Sequence, residues 1–185
     1  DVGAVGARLY YSDMSLQHGG VVIGLGGVAG HRFLYLEKNE HAHYKLEMKI
    51  SDVSCVTGAC MMAKRETYKE VGYMNEDLAV AFNDVDFCLK IRKKGLLVVY
   101  NPFVELIHYE SKTRGKENSP EKQERFKNEI ESFMKIWDKT VVKGDPYYNK
   151  HLSIPEIEIE ENRIKILYKV IDSNNDYEYN IEMSE

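Results

Sequence analysis

Apolar and polar positions along the chain divide it into short extended runs, two helical stripes and several glycine-rich or charged interruptions. Val2 to Tyr11 is apolar with small residues at 3, 4, 6 and 7, which predicts a strand able to pack closely, and Ser12-Asp13 has the composition of a turn. Val21 to Val28 is apolar again, but Gly19, Gly20, Gly24, Gly26, Gly27 and Gly30 predict a loop or irregular strand with a tight bend. From Arg32 to Ile50 the mixed, charged pattern predicts a mobile loop or a short helix. Asp52 to Ala63 reads as a buried strand interrupted at Gly58, and Lys64 to Val71 as a short helix ended by Gly72. A second helix is expected after Asn83 or Asp84 as cap, with Val85, Cys88 and Leu89 inward, a basic last turn and Gly95 as terminator.

Leu96 to Tyr100 predicts a strand, Pro102 a break, and Phe103 to His108 a further extended piece. Tyr109 to Pro120 carries Ser, Thr, Gly, Asn, Pro and many charges, the composition of a flexible loop. Phe126, Ile130, Phe133, Met134 and Trp137 recur at helical spacing, so a helix of about fifteen residues should lay that stripe on the sheet. Lys143 to Ser153 is turn-rich. Beyond it, acidic and apolar residues alternate from Ile154, so residues 1–153 are expected to form one portion and 154–185 a tail or the start of another module.

Composition sharpens this picture. In 185 residues, 43% hydrophobic and 30% charged side chains fit a folding globular chain rather than a disordered one. A net charge of -5 argues against a phosphate-backbone binder, so nucleic acid is not an expected partner. Three cysteines at 55, 60 and 88 have no CxxC spacing and read as buried thiols in a reducing compartment. No apolar run reaches the ~18 residues of a membrane span. Asp1 leads straight into a strand-like segment, as in a piece of something longer.

The candidate chemistry is concentrated late. The glycine-rich stretch has neither GxGxxG nor a following Lys-Ser or Lys-Thr, so a phosphate cradle is weakly supported and a tight structural bend is the expected role. His41 and His43 lack a surrounding ligand frame, and His18 and His31 stand isolated in sequence. Asn83-Asp84-Val85-Asp86, His108, and the loop with Ser111 and Arg114 each have an ordinary explanation: a helix cap, a strand-end histidine, a solvated connection. Together they suggest an acid, an imidazole and a basic loop meeting at strand ends, where open α/β sheets bind ligands.

The ordered series Val2-Gly3-Ala4-Val5-Gly6-Ala7-Arg8-Leu9-Tyr10-Tyr11, Gln17-His18, Gly24 to His31, Thr57-Gly58-Ala59-Cys60, Phe82-Asn83-Asp84-Val85-Asp86, His108-Tyr109-Glu110-Ser111 with Arg114-Gly115, and Asp145-Pro146-Tyr147-Tyr148-Asn149 resembles the family-2 glycosyltransferases, in the branch associated with bacterial surface polysaccharides such as rhamnans. The resemblance covers residues 1–153. It implies an α/β fold: the C-terminal, acceptor-side part of a Rossmann-like nucleotide-diphospho-sugar transferase sandwich of the GT-A type, a mixed sheet with flanking helices. The nucleotide-binding half, with its metal-holding aspartate motif, would lie upstream of Asp1.

The same resemblance places Asp84 as catalytic base of a transfer that usually inverts the anomeric carbon, although Asn83 stands where the wider family has Glu. Gly58 and Ala59 would line the sugar-binding floor. Asn83 and Asp86 would stand on the substrate side, Asp86 holding the helix start or orienting the acceptor. His108 would offer an imidazole to Mn²⁺ or Mg²⁺, and Ser111 and Arg114 would reach the diphosphate. The implied partners are a nucleotide sugar as donor substrate and a glycan or lipid-linked acceptor. The implied location is cytoplasmic, free or peripheral at the inner face of the membrane. Competing readings are a non-catalytic carbohydrate- or partner-binding module, and a metal-dependent phosphotransferase using Asp84 and Asp86. A truncated sheet would expose an edge, so homo-oligomers of the fragment are expected.

Overall fold

The computed structural model describes residues 1–109, 120–149, 156–160, 163–172 and 175–183, with side chains described up to residue 149 except at His43. Its centre is a mixed sheet. Strand β1 (Val2–Tyr10) runs parallel to β7 (Leu97–Ile107) on one side. On the other side it takes two short antiparallel neighbours, β6 (Met61–Ala63) at Ala4–Gly6 and β2 (Leu16–His18) at Leu9 and Tyr10. Strand β5 (Ser51–Asp52) extends the sheet beyond β7.

A central strand has both faces covered, and most of β1 is buried accordingly. The expected close packing is realised at Gly6, where an added Cβ would collide with the Val56 side chain. The glycine-rich segment is a hairpin, β3 (Val21–Ile23) against β4 (Ala29–His31), closed by a 3-10 turn at Leu25–Gly27 and bridged to Cys55 through Val21. The region 32–50 contains a 3-10 turn at His43–Met48.

Helix α1 (Arg65–Glu70) ends before Gly72, which takes a left-handed φ of 84° as the sequence anticipates. Helix α2 (Asn83–Lys93) follows, and α3 (Pro120–Lys143) is a 24-residue helix, longer than its apolar stripe alone suggested. Phe133 and Trp137 of α3 join Val85, Phe87, Cys88, Leu89 and Ile91 of α2 and Val98 and Tyr100 of β7 in one core. The fold class is therefore the expected one, a mixed α/β sheet with flanking helices.

Three local expectations are corrected. The 52–63 segment is not one strand: it leaves β5, runs buried through Val53–Val56, makes a 3-10 turn at Gly58–Cys60 and re-enters as β6. Pro102 does not end β7. The pairing with β1 jumps from Ala7–Asn101 to Arg8–Glu105, so residues 102–104 bulge out and the proline needs no donor in the ladder. Among the cysteines, Cys55 and Cys88 are buried as expected, whereas Cys60 is partly exposed; all three are free. Burial pushes the Cys55 thiol well above its ordinary pKa.

After residue 155, β8 (Glu156–Glu160), β9 (Arg163–Asp172) and β10 (Asn175–Met183) pair as an antiparallel meander separate from the central sheet. Among the described residues no helix is long and apolar enough to cross a membrane.

Candidate active site

Asp84 lies in the first turn of α2 and is partly exposed. It does not cap the helix, contrary to one expectation. The cap position is Phe82, in the left-handed region at φ 63°, and Asn83 is already helical. The Asp84 carboxylate instead reaches across to the 57–60 turn. Its Oδ2 accepts a hydrogen bond from the Gly58 N–H at 2.7 Å, and its Oδ1 accepts from the Val85 N–H at 2.8 Å. Each carboxylate oxygen has capacity for a further donor. Gly58 and Ala59 beside it are exposed, and a Cβ at Gly58 would touch the Asp84 Cβ at 3.4 Å. The two positions expected to form a floor therefore adjoin Asp84 with little side chain between it and solvent.

Asp86 faces the other way. It is fully buried, its Oδ1 accepts from the Trp137 indole N–H at 2.9 Å, and its Oδ2 is paired with the Lys90 ammonium at 2.7 Å. This carboxylate is out of reach of any ligand at the surface of Asp84. Of the two expected roles, substrate contact does not fit the position; anchoring the helix start to α3 does. Asn83 stays beside Asp84 at the helix start, partly exposed.

The turn leading into Asp84 is gripped by α3. Glu129, only 3% exposed, accepts hydrogen bonds from the Val80 N–H at 2.8 Å and the Ala81 N–H at 3.1 Å. The Phe82 ring packs on Phe126 and Phe133, with centroids 5.7 and 5.4 Å apart. An open groove of about 490 Å³ lies along this junction, lined by Asp77, Ala79, Glu124, Arg125, Asn128 and Ser132 among others. No local pattern marks the Glu129 contact, because it joins positions 48 and 49 residues apart.

On the opposite flank of the 57–60 turn, the Thr57 N–H points at the His18 Nε2 at 3.4 Å. With that nitrogen accepting, the His18 Nδ1 carries the proton and donates to the His31 Nδ1 at 2.9 Å. The two histidines that stand isolated in sequence are thus partners. Burial, then His31 and then Arg32, hold the His18 pKa well below its ordinary value, so this imidazole is neutral.

His108 follows β7, its backbone N–H bonded to the Tyr10 carbonyl at 2.9 Å and its Nδ1 lying 2.9 Å from the Gln17 Oε1. An amide oxygen beside Nδ1 favours the tautomer with its proton there, which would turn the Nε2 lone pair to a ligand, the arrangement metal-binding histidines use. His108 thus fits as a single metal ligand. Among the described residues no group of three or more His, Cys, Asp or Glu side chains could hold a metal. Ser111 and Arg114 lie outside the described residues.

No protein-family model matches the chain. It is 50% identical over 155 residues, 83% of its length, to the uncharacterized protein y4gI of Sinorhizobium fredii, of which it spans 17%. It is 33% identical over 160 residues, again 83% of its length, to the O-antigen biosynthesis protein RfbC of Myxococcus xanthus, of which it spans 12%. Over 88 residues, 48% of its length and 26% of the relative's, it is 24% identical to the low-salt glycan biosynthesis hexosyltransferase Agl10 of Haloferax volcanii. The chain thus spans a small part of each of these relatives, and is similar to proteins named for glycan assembly and hexosyl transfer.

Proposed function

We propose that this chain is the acceptor-side part of an inverting, family-2 glycosyltransferase acting in cell-surface polysaccharide assembly, with Asp84 as its catalytic base. The observation that carries the reading is the Asp84 carboxylate, partly exposed and fixed by two backbone N–H groups beside the open Gly58–Ala59 turn. The relatives named for O-antigen biosynthesis and hexosyl transfer support it.

In the proposed reaction the acceptor is a hydroxyl of a glycan or lipid-linked glycan, and the donor a nucleotide sugar. Asp84 accepts the hydroxyl proton as that oxygen forms its bond to the anomeric carbon. The bond from that carbon to the diphosphate breaks on the opposite face, its electron pair leaving with the nucleoside diphosphate. His108 would supply one imidazole ligand to Mn²⁺ or Mg²⁺, with the remaining ligands from residues beyond this chain. When bound, such an ion offsets charge on a leaving diphosphate. Ser111 and Arg114 would contact the same diphosphate.

The test is nucleoside-diphosphate release by the full-length protein across a panel of nucleotide sugars with Mn²⁺. One donor should turn over, Asp84→Asn should lower kcat ~100-fold or more, and His108→Ala should raise the Mn²⁺ concentration needed. Undiminished turnover by Asp84→Asn would refute the base assignment. Silence of the wild type with every donor would favour the non-catalytic binding module.

A further inference from the structure

A carboxylate is rarely buried unless something specific pairs with it, because losing its hydration costs several kcal/mol. Glu129 is buried in the middle of α3, and its two oxygens are divided between two consecutive backbone N–H groups, Val80 and Ala81. The Arg125 guanidinium stands one helical turn away, its Nε 3.8 Å from Oε2. The backbone that Glu129 holds is the approach to a left-handed turn at Phe82, a conformation costly for a residue with a bulky side chain. Asn83 and Asp84 follow directly.

The same face of α3 continues the grip. Phe133, four residues on from Glu129, packs on the Phe82 ring, and Trp137, four further on, donates to Asp86. Residues on either side of Asp84 are therefore held by one helix, whereas Asp84 itself is met from the 57–60 turn. Of these anchors from α3, Glu129 is the one that acts on the backbone, through charge-assisted bonds, which are directional.

We infer that Glu129 is a positioning residue: it fixes the Val80–Phe82 backbone so that the Asp84 carboxylate meets the Gly58 N–H and stands ready for its proton. The inference rests on the proposed role of Asp84, but its geometric core does not, since the Gly58–Asp84 hydrogen bond can be observed without turnover.

The Gly58 amide proton is the reporter. In a nitrogen-15-labelled chain at neutral pH the carboxylate acceptor should draw its resonance downfield, and Asp84→Asn should move it upfield. Glu129→Gln keeps the shape of the side chain but turns an amide NH₂ toward one of the two N–H donors. It should lose at least half of that downfield displacement at Gly58. In the full-length protein it should lower kcat about tenfold to 100-fold, the scale of a misplaced catalytic group, with donor KM within about twofold. The exposed Glu131→Gln on the same helix should change neither. If Glu129→Gln does not fold, Glu129→Asp decides instead, because it keeps the charge and withdraws it by one methylene. A wild-type Gly58 shift in the folded variant overturns the inference, as does a loss of activity expressed only in KM. If the Gly58 signal is lost while Asp84→Asn remains fully active, the positioning geometry stands and the base assignment falls.

Discussion

Asp84 and Asp86 are two residues apart in one helix, and the α-helical period separates them by about 200° around its axis. One therefore looks out at Gly58 while the other is enclosed by Trp137 and Lys90. Chemistry that needs both carboxylates at one ligand, as in a phosphotransferase built on the pair, does not fit that divergence. His18 supplies a prediction at this scale. Its native pKa lies well below the ordinary 6.5, so between the two values the unfolded chain binds a proton that the folded chain does not. The stability it contributes is fully present above about pH 6.5 and is lost as pH falls, with a slope approaching ~1.4 kcal/mol per pH unit. The titratable groups facing the ring among the described residues are His31, Arg32 and Tyr100. Urea unfolding of wild type and His18→Gln from pH 7.5 to 5 should show the acid-side loss flattened in the variant; parallel curves would mean that His18 is not its source.

At the scale of elements, α3 is the brace of the molecule. Its stripe was readable as apolar periodicity at Phe126, Ile130, Phe133, Met134 and Trp137, but two of its contacts are polar: Glu129 to the 80–81 backbone and Trp137 to Asp86. Trp137→Phe keeps most of the ring volume and removes the indole donor, leaving Asp86 Oδ1 buried without that partner. The expected cost is ~1–3 kcal/mol, read as a lower urea midpoint at unchanged m-value. A midpoint within error of wild type would show that Lys90 alone satisfies Asp86. Strand β1 shows the same mixture of legible and hidden. Its small residues announced close packing; which neighbour fills the space at Gly6, namely Val56, could not be announced. Gly6→Ala should destabilise by about 1–3 kcal/mol through overpacking, and calorimetry checks it.

At the scale of the whole molecule, the outer half of β7 is incompletely covered. β5 pairs with β7 at Val99 and Tyr100, and Phe103 and Val104 in the bulge and Leu106 and Ile107 beyond it are all exposed, Phe103 at 75%. Such an apolar strand invites further pairing. The isolated chain should sediment above its monomer mass of 21.4 kDa at micromolar concentration, and Leu106→Lys should shift it toward monomer; a wild-type monomer would count against this. The sequence by itself determined the elements whose signal is local: β1, the turn at Gly72, α1, α2 and the stripe of α3, because periodicity and terminators act within a few residues. It also marked Asp84 and His108 through an ordered resemblance. Only the tertiary structure decided what those residues touch: that Gly58 meets Asp84, that Glu129 holds the turn before it, that His18 pairs with His31, and that Asp86 faces the core. Each of those contacts joins separate segments of chain, and its existence depends on how sheet and helices pack, which no local pattern encodes.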